Sequence, residues 1–303
     1  MEKKDLKVIK STIKGELLLA RPLAKETYFK IGGPANIVIP ADKDDLKCLI
    51  EFLANQELDY RILGNGSNLL VSEQGVSELV IKLNKLNQIE IDGVKIKAAA
   101  GVKLPVLARK AMKASLSGLE FGAGIPASIG GAIIMNAGAY GGDIAKIIKK
   151  VETITAKGEE KLYTSQDFDF SYRDSYFNDS DEIIVRAEFV LTKANREEIK
   201  EKMKDFLAKR KTSQPLSLPN AGCIFKNPKD DSAGRLIDVA GGKEMKVGDA
   251  MVAKKHANFI VNTGSATASD VLELIKKVKD LVYNDSGVEL EEEVNFWGGE
   301  KDE

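Results

Sequence analysis

The chain has 303 residues, 43% of them hydrophobic, and 45 basic residues stand against 46 acidic ones. This is enough apolar material for a large core in two or three domains, and the near balance of charge argues against a broad nucleic-acid surface. One histidine, His256, and two distant cysteines, Cys48 and Cys223, exclude a His-rich metal site, a CxxC site and a disulfide framework.

Residues 1–25 are basic and read as an amphipathic helix with no cleavage site after it. No later apolar run reaches the roughly 18 residues of a membrane helix, so membrane insertion is not expected. Two unpaired thiols fit a reducing cytoplasm. "ANIVIP" (35–40) reads as a strand. Residues 42–56 read as a helix with apolar Leu46, Leu49, Ile50 and Leu53, holding Cys48 as a small apolar residue. "LDYRILG" (58–64) reads as a second strand, which completes a βαβ-like unit.

"QIEIDGVKIKAA" alternates around Asp92-Gly93, a type I′ hairpin signal. "KLPVLARKAMKASL" reads as a helix, "VETITAKGEEKLYT" as a hairpin around Gly158, and "DEIIVRAEFVLT" as a buried strand. Asn195 with Glu198 predicts a capped helix whose stripe is Ile199, Met203, Phe206 and Leu207. A proline-marked loop follows near 210–220. A helix is expected over 267–283, and a final strand at "VELEEEVNFW". These elements make an α+β chain.

Two stretches carry glycine beyond what turns require. "GNGSNLL" (64–70) follows a strand but has Leu69 where a dinucleotide fingerprint needs its third glycine, which disfavours a standard Rossmann site. Its small residues still expose consecutive N–H groups to an anion, and Ser67 and Asn68 add side-chain donors. Residues 118–142 hold eight of the 26 glycines among apolar residues. Such a segment can approach a flat ligand closely, because no Cβ holds the backbone away.

"FKIGGPA", "GNGSNLL", "GAGIPASIGGAIIMNAGAYGG", "SYRDS", "NAGCIFKNP" and "LEEEV" occur in this order over about residues 22–298. Together they resemble the UDP-N-acetylenolpyruvoylglucosamine reductases, in the shorter subtype without a tyrosine-bearing insertion. The resemblance implies an α+β FAD-binding fold of the vanillyl-alcohol-oxidase type. Its expected parts are a first FAD subdomain at 1–82, a second at 83–196 and a C-terminal α+β substrate-binding domain at 197–303. It also implies a reaction: NADPH reduces FAD, and the flavin reduces the enolpyruvyl ether of UDP-N-acetylglucosamine enolpyruvate to UDP-N-acetylmuramate for peptidoglycan.

The FAD contacts it implies fall in two groups. One is Gly64, Asn65, Gly66, Ser67, Asn68 and Leu69. The other runs through Gly122, Gly124, Ile125, Pro126, Ala127 and Ser128, then Gly130, Gly131, Asn136, Ala137 and Gly138. Tyr140, Tyr172, Lys226 and Asn227 are the expected substrate contacts, with Lys211 a further phosphate contact. No metal is expected.

Reducing a double bond beside a carboxylate needs a hydride donor, a stabiliser of enolate-like charge and a proton donor. Arg173 in "SYRDS" offers the fixed cationic fork. Alternation in "VELEEEVNF" puts Glu292 on the apolar face and Glu289, Glu291 and Glu293 on the other, and does not choose among them; the resemblance selects Glu293. A strand reading of "GCIFKNP" puts Cys223, Phe225 and Asn227 on one face. Family members commonly carry serine at Cys223 as the proton donor. A thiol, with a reference pKa of about 8.5, gives up a proton more readily than a hydroxyl. His256 reads as structural. The alternatives are another FAD oxidoreductase of this fold and a nucleotide-binding module without catalysis.

Overall fold

The computed structural model describes residues 2–298. The chain forms two compact units, each discontinuous in sequence. Among the described residues, the first comprises 2–19, 36–65 and 78–209; the second comprises 20–35, 66–77 and 210–298.

The first unit is built on two sheets. A four-stranded sheet has the order Glu16–Pro22, Pro34–Ile39, Leu79–Lys82, Tyr60–Leu63. The βαβ-like unit is therefore real but not closed on itself. Leu79–Lys82, unmarked in the sequence reading, lies between the two expected strands and pairs parallel with both. The helix Lys43–Asn55 covers this sheet with Leu46, Leu49, Ile50 and Leu53, all fully buried. Asp42 caps it by accepting the Asp45 N–H at 2.8 Å. Cys48 does not pack into this core as expected; it lies on the exposed face of the helix.

The N-terminal helix ends at Thr12 rather than running on through residue 25, and Glu16–Pro22 is a strand. The cause is a tether at the connection. The buried Asp45 carboxylate accepts the N–H groups of Lys14 (2.8 Å), Gly15 (2.9 Å) and Ala41 (2.8 Å).

The five-stranded sheet has the order Glu160–Thr164, Ile148–Ile154, Ile183–Val190, Lys95–Ala99, Ile89–Asp92. Its hairpin turn sits one residue later than expected. Asp92 pairs with Lys95, so Gly93 and Val94 form the loop, and only Gly93 has positive φ (+58°), which is not a type I′ turn. The helix Arg196–Ser213 starts where Asn195 predicts it, with Asn195 Oδ1 accepting the Glu197 N–H at 2.9 Å. Of its expected stripe, Ile199 and Met203 are buried, but Leu207 is 44% exposed.

The second unit has its own core. Phe29, Ile31 and Leu70 pack with Ala221, Ile224, Phe225 and the apolar face of the helix Ala268–Ser286. That helix is bounded as its sequence dictates. Thr267 and Asp270 form a reciprocal capping box, and Gly287 closes the C-terminus in the left-handed region. A three-stranded antiparallel sheet, Lys246–Val247, Ala250–Val252 and Ile260–Asn262, lies beside it. Asn295–Trp297 pairs parallel with Leu69–Val71.

Two expected strands are not continuous. "VELEEEVNFW" is strand only over Asn295–Trp297, and "GCIFKNP" is a bent segment. They meet through an isolated bridge, Phe225 to Glu292.

Candidate active site

In the first unit, the loop leaving Tyr60–Leu63 meets the turn before the helix Ile129–Ile134. Asn65 Nδ2 donates to Pro126 O at 2.6 Å. A Cβ on Gly64 would lie 2.7 Å from Ser128 Oγ, which itself caps the helix by accepting the Gly131 N–H. Gly64 is thus glycine because another chain segment occupies the space of its side chain. Ala123–Ala127 remain only half-buried, although all five are apolar or glycine. This half-exposed run against a glycine loop fits the residues expected to hold a flat cofactor. Elsewhere in 118–142, close approach is to the protein itself. Added Cβ atoms would meet Leu104 at Gly122 (2.8 Å), Ala100 at Gly130 (3.3 Å) and Phe121 at Gly142 (2.7 Å).

Two short hairpins follow. In Gly138–Ala139 and Gly142–Asp143 the turn residue Tyr140 has φ +53°, and its ring stacks on Phe206 with centroids 4.6 Å apart. In Phe170–Ser171 and Asp174–Ser175 the turn residues are Tyr172 and Arg173, and Arg173 has φ +58°. A long side chain in the left-handed region costs on the order of 1 kcal/mol, and such residues concentrate at functional sites. The Arg173 hairpin is pinned to the glycine-rich segment at three points. Asn136 Nδ2 donates to Ser171 O (2.9 Å), Ser175 Oγ to Ile134 O (2.8 Å), and Arg173 Nη1 lies 3.5 Å from Gly138 O. Arg173 also lies over the Tyr172 ring at 5.2 Å. Asn136 is therefore a hairpin anchor as well as an expected cofactor contact; its Oδ1 accepts the Ala145 N–H at 3.0 Å.

The second unit brings together the rest. Glu293 N–H donates to Ile224 O at 2.7 Å, so the main chain of Glu293 runs beside the residue after Cys223. Asn68 Nδ2 donates to Glu293 O at 3.0 Å, and Asn68 O accepts from Asn295 N–H at 3.2 Å. A Cβ on Gly222, which has φ +84°, would lie 4.0 Å from Ser67 O. Ser67, Asn68, Cys223 and Glu293 thus share one neighbourhood.

Glu291 pairs with Lys226 at 2.5 Å and Glu292 with Lys279 at 3.2 Å. Glu293 is half-buried.

The expectation that alternation puts Cys223 and Asn227 on one face is corrected. Ile224 and Phe225 are consecutive and both buried, so the segment has no period-two pattern. Cys223 is half-buried against the apolar group of Ala253, Phe259 and Val261. Asn227 is exposed, and its Oδ1 accepts the Ala233 N–H at 3.1 Å, at the start of the helix Ala233–Val239. Lys211 lies inside the helix Arg196–Ser213 rather than in a linker. His256 accepts the Asn258 N–H at 3.3 Å and packs against Phe259 at 4.9 Å. Burial, then the charge of Lys243, holds its pKa below the usual value.

Asn258 sits in the apolar run "HANFIV" and belongs to none of the motifs. It is 2% exposed and bonded on both sides of its amide. An asparagine flanked by residues of buried type is the signal that could have found it.

The fold defines a flavoprotein-type α+β chain. Residues 34–161 match the family described as FAD binding domain, and residues 214–297 match UDP-N-acetylenolpyruvoylglucosamine reductase, C-terminal domain. The chain is 45% identical over 301 residues to the UDP-N-acetylenolpyruvoylglucosamine reductase of Carboxydothermus hydrogenoformans, covering 98% of this chain and 100% of that one. It is 43% identical to that of Caldanaerobacter subterraneus subsp. tengcongensis, covering 94% of each. The crystal structure of the reductase from Thermus caldophilus superposes with a TM-score of 0.81 at 39% identity, covering 94% of this chain and 100% of that one. The chain belongs to the UDP-N-acetylenolpyruvoylglucosamine reductase family, and it is an FAD-dependent oxidoreductase.

Proposed function

We propose that the chain uses NADPH to reduce the enolpyruvyl ether of UDP-N-acetylglucosamine enolpyruvate, giving UDP-N-acetylmuramate in the cytoplasm. The observation that carries this reading is the hydrogen bond from Glu293 N–H to Ile224 O, which places the main chain of Glu293 beside the residue that follows the proton-donor candidate. Family membership supports the same reaction.

FAD, when bound, supplies the hydride for the β-carbon of the enolpyruvyl group. The residues that would hold it are the Gly64–Leu69 loop and 122–138, including the Asn65 to Pro126 contact. Arg173 holds the substrate carboxylate and stabilises the enolate-like charge that develops there. Cys223 keeps its proton on Sγ and delivers it to the α-carbon. Glu293 assists the same charge development or protonation. Tyr140 and Tyr172 contact the substrate from exposed positions in their hairpins. Lys226 and Asn227 contact it at the rim of the second unit.

The experiment is anaerobic addition of UDP-N-acetylglucosamine enolpyruvate to NADPH-reduced protein. Flavin absorbance returning with substrate and not without it is the expected outcome. Purified protein that acquires no flavin absorbance when FAD is added overturns the reading. So does a flavin that reoxidises only with oxygen.

A further inference from the structure

Cys223 lies on a segment that makes no continuous strand, yet both residues that follow it are bonded through N–H and C=O. Asn258 accounts for one whole side of that bonding. Its Oδ1 accepts the Phe225 N–H at 2.9 Å, its Nδ2 donates to Phe225 O at 2.8 Å, and its main-chain carbonyl accepts the Ile224 N–H at 2.9 Å. One side-chain amide thus does for Phe225 what a partner residue does in an antiparallel ladder, satisfying N–H and C=O together. The other side is the chain 291–293, where Glu293 N–H donates to Ile224 O at 2.7 Å and Lys226 N–H donates to Glu291 O at 2.8 Å.

Two consecutive peptides directly after Cys223 are therefore held between Asn258 and the glutamate segment. The residue before Cys223, Gly222, takes φ +84°, a turn that a side chain would strain. The backbone on each side of the thiol is fixed by a different device. Asn258 is 2% exposed, so neither its donor nor its acceptor has water as a substitute partner. Its own N–H donates to His256 Nδ1 at 3.3 Å, which fixes the turn that carries it.

We propose that Asn258 is a positioning residue: its side-chain amide clamps Phe225 and thereby sets where the Cys223 thiol points relative to Glu293. The proposal rests on the reading of Cys223 as proton donor for its catalytic consequence, but not for its structural content. A buried amide can act this way because removing one partner leaves a desolvated polar group, and the segment must move to recover a bond. Displacement of a reacting group by about 1 Å costs on the order of 100-fold in rate.

The test uses the FAD-loaded full chain in a Cys48→Ser background, which leaves Cys223 as the sole thiol. Asn258→Ala removes both side-chain bonds. Asn258→Asp keeps the volume and the acceptor and removes the donor to Phe225 O, and it serves if the alanine variant does not fold. Two quantities are read: the rate of Cys223 alkylation by iodoacetamide across pH, and the two flavin half-reactions in anaerobic stopped flow. The expected result is an altered alkylation profile, with flavin reduction by NADPH within about twofold of the parent and reoxidation by substrate slowed about 100-fold. An unchanged alkylation profile in a folded, FAD-loaded variant overturns the proposal. Failure of the proton-donor reading shows separately, as normal turnover by Cys223→Ala, and the alkylation result then still decides whether Asn258 positions the thiol.

Discussion

Arg173 occupies a turn position where glycine or asparagine is the usual resident, and it does so at φ +58°. Arg173→Gly should therefore relieve backbone strain. The expected outcome is a thermal midpoint equal to or above the parent, a gain of up to about 1 kcal/mol, with FAD still bound. Substrate-driven reoxidation should fall by about 100- to 1,000-fold, the scale of losing one charged stabiliser. Scanning calorimetry and stopped flow on the same sample check both halves. A variant that loses stability and activity together would mean that Arg173 is mainly a hairpin support. At Cys223 the expectation differs by chemistry. Cys223→Ser keeps substantial activity because a hydroxyl still carries a proton. Cys223→Ala allows flavin reduction but slows substrate reduction by about 100- to 10,000-fold, the usual worth of a positioned acid. Of these residues, Arg173 and Glu293 were nameable from the sequence only through the family's motifs. Periodicity failed at Glu293 because its segment is bonded through an isolated bridge and two ion pairs rather than a ladder.

Elements whose boundaries are written in local chemistry were legible. The helix Lys43–Asn55 has its cap at Asp42, and Ala268–Ser286 has a capping box at one end and Gly287 at the other. The elements missed are those fixed by distant partners. The N-terminal helix stops at Thr12 because Asp45, more than thirty residues later, takes the N–H groups of Lys14 and Gly15. Asp45→Ala removes the shared acceptor of three part-buried N–H groups at once, and the expected loss is about 1 to 3 kcal/mol in urea unfolding. A change below about 0.5 kcal/mol would show that the tether is incidental. Glu120 gives a second prediction. Burial pushes its carboxyl up, but hydrogen bonds from Ser117 (2.6 Å), from its own N–H and from Gly118 N–H (2.7 Å), with the charge of Lys202, outweigh this, and the net direction is down from 4.5. A depressed carboxylate stabilises the fold above its unfolded pKa, and that stability is lost as pH falls through the folded value. Glu120→Gln should therefore flatten the decline in stability below about pH 4.5 relative to the parent. Equal acid limbs for the two proteins count against the assignment.

At the scale of the whole molecule, the sequence reading gives three contiguous parts, with residues 197–303 as a substrate-binding domain. We propose that this C-terminal part cannot stand alone. The second compact unit takes 20–35 and 66–77 as well as 210–298. Phe29, Ile31 and Leu70 are within 2% of complete burial, in the same core as Ile224, Phe225 and Val271. Asn295–Trp297 has its strand partner in Leu69–Val71, and Glu293 O receives its hydrogen bond from Asn68. A fragment of 197–303 lacks every one of these partners. It would expose the apolar surface they cover, at roughly 25 cal/mol per Å², and leave its last strand as an open edge. The expected outcome is a fragment without a cooperative thermal transition and with poorly dispersed amide resonances, while the full chain melts cooperatively. Adding a second polypeptide that carries residues 1–196 should restore structure, because it returns both missing segments. A cooperative transition in the isolated fragment would show that the N-terminal segments cover this core without being needed to form it.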